Sequence, residues 1–272
     1  MSVDLASLSE KATAIRRTAL RCALAAKKGH VPPAFSWTEI GVALFYGGGL
    51  RLRPAEPHWP QRDRFILSKG HGCLTLYAIL ADLGFFPAEQ LDRFATDGAL
   101  LPGHPDLEIP GVECISGSLG HGLGAGAGMA LAARMTGADW RTVVVLGDGE
   151  CQEGAIWEAA MFAGQHRLGN LTAIVDRNRL SATDFTENVV GLEPLDARLT
   201  AFGWDVETVD GHDLDALVGL LSHRPQRSRP LAVIARTTKG KGVDFMENSE
   251  LWHHRLPKGD EIASAWRQLG GV

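Results

Sequence analysis

Two short segments of this chain carry groups suited to a hard cation. Leu146-Gly147-Asp148-Gly149-Glu150 and the segment Val175-Asp176-Arg177-Asn178, whose Asn178 lies thirty residues after Asp148, each close an apolar run of strand length. The Asp148 carboxylate and the Asn178 amide are hard oxygen donors. They suit magnesium, an octahedral ion usually held by one or two protein groups together with substrate phosphates. Taken alone, the two fragments also fit a plainer reading, because Gly-Asp-Gly is a common turn and Asp and Asn are ordinary turn residues.

The elements needed to position them are written around them. Arg141 to Leu146 is a β-branched apolar run that stops at the Gly-Asp-Gly turn, as a buried parallel strand does. Glu153 to Arg167 places Ile156, Ala159, Ala160 and Ala163 at helical spacing, and Leu171 to Val175 is a second apolar run. This is a βαβ unit. If its strands are neighbours, Asp148 and Asn178 emerge at one sheet edge, beyond the carboxyl ends where open α/β sheets bind ligands. Elsewhere the pattern predicts an amphipathic helix at the start, a helix over Thr38 to Tyr46 and a short strand over Asp63 to Ser68. It further predicts a turn and helix over Gly84 to Phe94, a Pro-rich loop over Leu100 to Pro110, a strand region over Ala201 to Val209 and a helix over Asp213 to Leu221. A flexible loop from Ser222 to Pro230 and a last strand from Leu231 to Arg236 follow. Alternating elements without an internal repeat favour an α/β fold with a doubly wound, mostly parallel sheet.

Four more segments put a histidine beside turn residues: Lys28-Gly29-His30, Ser68-Lys69-Gly70-His71-Gly72, Pro102-Gly103-His104-Pro105 and Leu251-Trp252-His253-His254. Histidine donates or accepts a proton near neutrality. With Gly117-Ser118-Leu119-Gly120-His121-Gly122, the Gly-Asp-Gly unit and Asn178, this ordered set resembles the transketolase family. More narrowly, it resembles the N-terminal, diphosphate-binding half as made in split enzymes, and the likeness covers nearly the whole chain.

The resemblance implies a thiamin diphosphate-binding fold, and a magnesium ion held by Asp148, Asn178 and the main-chain carbonyl of Leu180. It implies that His71, His253 and the backbone of Gly149 contact the diphosphate, and that Gly117 and Leu119 lie beside the cofactor. The resemblance further implies that His30 and His104 face the hydroxyls of a ketose donor, with His71 and His253 also near the substrate, and that Glu153 sits where the family keeps a carboxylate linking the two cofactors through the subunit interface. The activity implied is transfer of a two-carbon ketol unit to an aldehyde or a carrier-bound acceptor. Thiamin diphosphate supplies the carbanion and electron sink, so the protein supplies orientation, proton transfer and electrostatics.

The sequence departs from the family pattern in three places. Val31-Pro32-Pro33 stands where small residues commonly follow the histidine, His121 where many relatives carry glutamine, and Arg177 where many carry a small or acidic residue. Each retunes substrate choice or only alters packing. A length of 272 residues suits one large α/β domain, residues 1–272. The pyrimidine-binding and C-terminal domains, with the activating glutamate, are therefore expected on a partner chain in an α2β2 assembly.

Gly120, Gly124 and Gly128, with Ala132, recur every fourth residue, so a helix there has one nearly bare face. Each interior glycine costs roughly 0.5–1 kcal/mol relative to alanine. Close approach of another backbone or of the cofactor offsets that cost, as does packing on the domain's own sheet. A net charge of −5 with scattered basic residues gives no nucleic-acid surface. No apolar stretch nears the ~20 residues that span a bilayer, and no secretion signal is read at the start, so a cytoplasmic location is expected.

The four cysteines form no Cys-x-x-Cys pair and read as reduced, mostly buried thiols. The segment Thr237 to Gly242 lacks the order of a nucleotide phosphate loop and reads as a structural connection leading to His253. Other functions remain open: a 1-deoxyxylulose 5-phosphate synthase or the E1α subunit of a 2-oxo acid dehydrogenase, both related thiamin diphosphate enzymes. From another class comes an NAD-binding dehydrogenase, with Gly120-His121-Gly122-Leu123-Gly124-Ala125 following a strand-like Val112 to Ser116.

Overall fold

Alternation along the apolar runs sorts their side chains into two separate cores. Phe65, Leu67, Val143, Val145, Ile174 and Val233 fall in one buried cluster, while Ile66, Val144, Leu146, Ala173, Val175, Ala232 and Ile234 fall in the other. Successive strand side chains point to opposite faces, so a sheet buried on both sides reads as a continuous apolar run.

The computed structural model describes residues 4–223 and 227–271. In chain order its elements are α1 (Leu5–Ala26), α2 (Val31–Phe35), α3 (Thr38–Phe45), β1 (Arg64–Leu67), α4 (Cys73–Asp82), α5 (Gly122–Thr136), β2 (Thr142–Gly147), α6 (Gly154–Gln165) and β3 (Leu171–Arg177). Then come α7 (Thr186–Val189), α8 (Leu195–Ala201), β4 (Asp205–Asp210), α9 (Leu214–Leu221), β5 (Leu231–Arg236) and α10 (Asp260–Gln268). The strands form one sheet in the order β1-β2-β3-β5-β4. All its pairs are parallel. Helices α1 to α4 and α9 supply the first core and α5, α6 and α8 the second. This is the expected doubly wound α/β architecture.

Local chemistry sets the element ends. Asp4 caps α1 by accepting from the Ala6 amide at 3.1 Å, and Asp213 caps α9 by accepting from Ala216 at 3.1 Å. Pro32 and Pro33 sit in the first turn of α2, where a missing amide hydrogen costs no helical bond. The four predicted apolar positions of α6 are all buried.

Some expectations fail. The strand region begins at Asp205, not Ala201, because α8 runs to Ala201 and a turn through Gly203 at φ +85° intervenes. The turn and helix expected over Gly84 to Phe94 are there, the helix being of 3-10 type over Ala88–Arg93 and opened by Pro87. Residues Val112 to Ser116 form a loop, with the Ser116 amide bonded to Pro105 O at 3.3 Å. No strand runs into Gly120, so the dinucleotide fingerprint has no structural frame. Of the loop expected over 222–230, residues 224–226 lie outside the described residues.

The glycines of α5 divide by face. Gly120 lies before the helix at φ +89°, while a Cβ on Gly124 or Gly128 would meet nothing within 4 Å. The sheet is packed by other glycines. A Cβ on Gly126 would lie 2.5 Å from Val144 Cγ2, and one on Gly122 would lie 2.3 Å from Ser68 Oγ. The Gly124, Gly128 and Ala132 stripe is therefore exposed, and packing on the domain's own sheet does not account for it.

Candidate active site

Four neighbouring strands deliver their carboxyl ends to one place. β1 runs into Ser68-Lys69, β2 into Asp148, β3 ends at Arg177 before Asn178, and β5 runs into Thr237-Thr238-Lys239. In register Gly147 stands opposite Asp176, and Asp176 opposite Ala235. Beyond this edge lies a cavity of about 280 Å³. Its lining includes Asp148, Gly149, Asn178 and Leu180 on one side, with Gly117, Leu119, His71, His104 and His253 completing it. His30 stands beside these imidazoles, its ring centroid 5.7 Å from His71, 5.4 Å from His253 and 6.2 Å from His104. Glu153 is elsewhere: it is exposed at the start of α6, where a Cβ on Gly120 would come within 2.8 Å of its own Cβ.

The oxygen donors already meet cationic groups. Asp148 is 2% exposed and accepts from the Gly149 amide at 2.8 Å, the Arg179 amide at 2.5 Å and Arg177 Nη1 at 3.1 Å. Burial raises its pKa, and Asp176 adds to that, against the opposing pull of Arg177 and the two amides. The Leu180 carbonyl accepts from the Lys239 ammonium at 3.1 Å, as does the neighbouring Ser181 carbonyl at 2.7 Å. Asn178 Oδ1 accepts from the Leu180 amide at 3.1 Å, which closes the turn that carries these two donors, while Asp148 comes from the loop after β2. A carboxylate, an amide oxygen and a carbonyl facing one cavity form the hard donor set that magnesium takes, so the residues present fit the ion.

Several site groups had no place in the sequence reading. Glu150 is buried and accepts from Ser68 Oγ at 2.5 Å, Gly120 N at 2.9 Å and Gly147 N at 3.0 Å, tying three loops together. Lys69 is buried in an ion pair with Asp176, and its ammonium also donates to Pro33 O at 2.9 Å. Burial would raise the Asp176 pKa, but Lys69, with hydrogen bonds from Ser36 and Thr237, outweighs it and holds the carboxyl low. Lys239 corrects the reading of its segment as a mere connection: its ammonium reaches the cavity and lies 2.7 Å from His253 Nδ1. Burial and the nearby Lys69 charge lower its pKa to about 8. The usable signal for all three was their place one to three residues past a strand end.

Arg177 is held from outside by Glu187 at 2.7 Å and Glu193 at 2.8 Å. His121 points away, with Nδ1 3.1 Å from Leu119 O. The imidazoles are kept neutral. Burial, then His254 and His104, lowers His30 to about 4; burial, then Lys239 and His30, lowers His253 to about 3. Burial also lowers His104, and burial with Lys69 takes His71 well down. Neutral rings beside two lysines and glycine turns can hydrogen-bond hydroxyls while the cations meet an anion. Cys151 is inert by contrast, its thiol raised by burial and then by Glu150.

Oxygen donors, amide-lined turns and imidazoles on the carboxyl edge of a parallel sheet define an α/β domain for a phosphate-bearing cofactor. The chain belongs to the transketolase family, whose thiamine diphosphate binding domain matches residues 8–271. It is 43% identical over 245 residues to one of the subunits of the apulose-4-phosphate transketolase of Phocaeicola vulgatus, covering 90% of this chain and 87% of that one. To the 6-deoxy-6-sulfo-D-fructose transketolase subunit SqwG of a Clostridium species it is 39% identical over 267 residues, 97% and 96% of the two chains. Among solved structures, the transketolase of Campylobacter jejuni superposes with a TM-score of 0.93 at 30% identity, covering 98% of this chain and 43% of that one. The chain thus spans less than half the length of that solved transketolase.

Proposed function

We propose that this chain is the diphosphate-binding subunit of a two-chain cytoplasmic transketolase that moves a two-carbon ketol unit from a ketose to an aldehyde or specialised-pathway acceptor. Residues 1–272 form its single domain, and the pyrimidine-binding domain with its activating glutamate comes from a partner in an α2β2 assembly. The observation that carries the reading is the convergence of Asp148, Asn178 and the Leu180 carbonyl on a cavity that His71, His253 and Lys239 also line.

In this reading those three oxygen donors would hold magnesium, and His71, His253 and the backbone of Gly149 would contact the diphosphate. Gly117 and Leu119 would lie beside the cofactor, and His30 and His104 would face the donor's hydroxyls. Bound thiamin diphosphate supplies the carbanion and electron sink. The chain's own groups bind and orient: His30 and His253, kept neutral by their lowered pKa values, donate hydrogen bonds to sugar hydroxyls or accept them without taking up the proton. Glu153 reaches outward to the partner, and the bare Gly124 and Gly128 face admits close approach of its backbone.

Relatives of matching length that are named as individual subunits of a transketolase support the two-chain arrangement. The sugars in the names of relatives of this kind, apulose 4-phosphate and 6-deoxy-6-sulfo-D-fructose, support an uncommon ketose as donor. The test is to purify the tagged chain from its own cells. Co-elution of a second subunit with thiamin diphosphate is expected, followed by a donor screen on the complex. A lone, cofactor-free chain would overturn the proposal.

A further inference from the structure

The histidines at the cavity rim are not equivalent. His30, His253 and His254 each offer one ring nitrogen, and these three atoms lie within 4.8 Å of one another. Their ring centroids are 4.3 Å apart for His30 and His254, 4.7 Å for His253 and His254, and 5.4 Å for His30 and His253. His30 stands at the start of α2, and the other two follow a 3-10 turn at Glu250–Trp252 whose Trp252 is buried. Two anchored loops therefore present the three rings.

We propose that His30, His253 and His254 form a tri-imidazole site for a zinc-class transition-metal ion that closes the mouth of the cofactor cavity. Two features set it apart from the oxygen donors within the cavity. Asp148, Asn178 and Leu180 are hard donors that suit magnesium, whereas an all-imidazole set selects zinc, copper or nickel. The two sites therefore sort different ions. With metal–nitrogen distances of ~2.0–2.1 Å, two ligating nitrogens stand at most ~4.2 Å apart. The three ring nitrogens, all within 4.8 Å of one another, stand close to that spacing.

Lys239 fixes which nitrogen binds. Its Nζ lies 2.7 Å from His253 Nδ1, which leaves Nε2 for the metal. Binding at Nε2 expels the proton that this nitrogen carries, while Nδ1 takes a proton from the Lys239 ammonium and donates it back to the resulting amine, so one proton is released to solvent per ion bound. Three protein ligands leave the fourth position to water.

The functional consequence is inhibition: the ion occupies the approach that a ketose donor uses. That consequence rests on the transketolase reading, but metal uptake itself does not. The test is calorimetric titration of zinc into the full complex in excess magnesium, for the wild type and for His254→Ala, with melting curves to confirm that both fold. One zinc per chain is expected, with affinity reduced at least ~10-fold in His254→Ala and thiamin diphosphate retention equal in both. No saturable uptake, or equal affinity in the variant, overturns the site. Zinc uptake without any thiamin diphosphate binding supports the site and overturns the transketolase reading instead.

Discussion

A carboxylate as deeply buried as Asp148 is tolerable only where donors and cations meet it, and here two amides and Arg177 do so. Replacing Asp148 by Ala leaves Arg177 held by Glu187 and Glu193 but removes the one anionic donor of the proposed magnesium set. The expected outcome is loss of magnesium-dependent thiamin diphosphate retention, by at least ~100-fold in affinity since second-sphere changes alone cost 10–100-fold, with the fold kept; equilibrium dialysis with and without chelator reads it. Lys69 makes a different prediction. It and Asp176 are 1% and 0% exposed, so Lys69→Met strands a buried charge. Denaturant unfolding should show a loss of about 3–5 kcal/mol, much of it recovered when Asp176→Leu is added. An unchanged Lys69→Met midpoint would contradict the pair's assigned role.

Helix α5 shows how one element serves two surfaces. Gly126 faces Val144, and Gly124 faces open space. Gly126→Val therefore overpacks the core and should cost about 1–3 kcal/mol in unfolding. Gly124→Leu should leave the melting of the isolated chain within a degree or two yet abolish co-purification of the partner. The reverse pattern would place the interface elsewhere. The sequence showed such elements unevenly. Period-2 and period-3.6 patterning revealed the strands and α6 directly, and Gly-Asp-Gly marked the edge where Asp148 emerges. The exposed direction of the Gly124 stripe was not legible, because glycine spacing says which residues share a face and not what that face meets. Nor was the Lys69–Asp176 pair, since it joins residues 107 apart and depends on β1 and β3 flanking β2. Lys239 was hidden for a related reason: its loop lacks any motif order, and only the place of β5 beside β3 turns it toward His253.

For the molecule as a whole, the neutral imidazole cluster couples folding to pH. His30 is held at about 4 and His253 at about 3, against ~6.5 in an unfolded chain. Between those values the unfolded state binds more protons, so the stability they contribute is full above about pH 6.5 and is lost as the pH falls toward 4 and 3. Tm measured from pH 7 down to pH 5 should drop for the wild type, and drop less for the double variant His30→Asn/His253→Asn. Equal slopes would refute the coupling. The same cluster, with Lys69 and Lys239, gives the cavity its character: neutral hydrogen-bonding rings above, cations and hard oxygens below. The measurement that bears most directly on the proposed role is calorimetric titration of thiamin diphosphate into the chain purified with its partner, in magnesium and in chelator. Saturable binding at one cofactor per chain, dependent on magnesium and absent from Asp148→Ala, is the predicted result. Binding indifferent to magnesium or to Asp148 would contradict the assignment of the cavity.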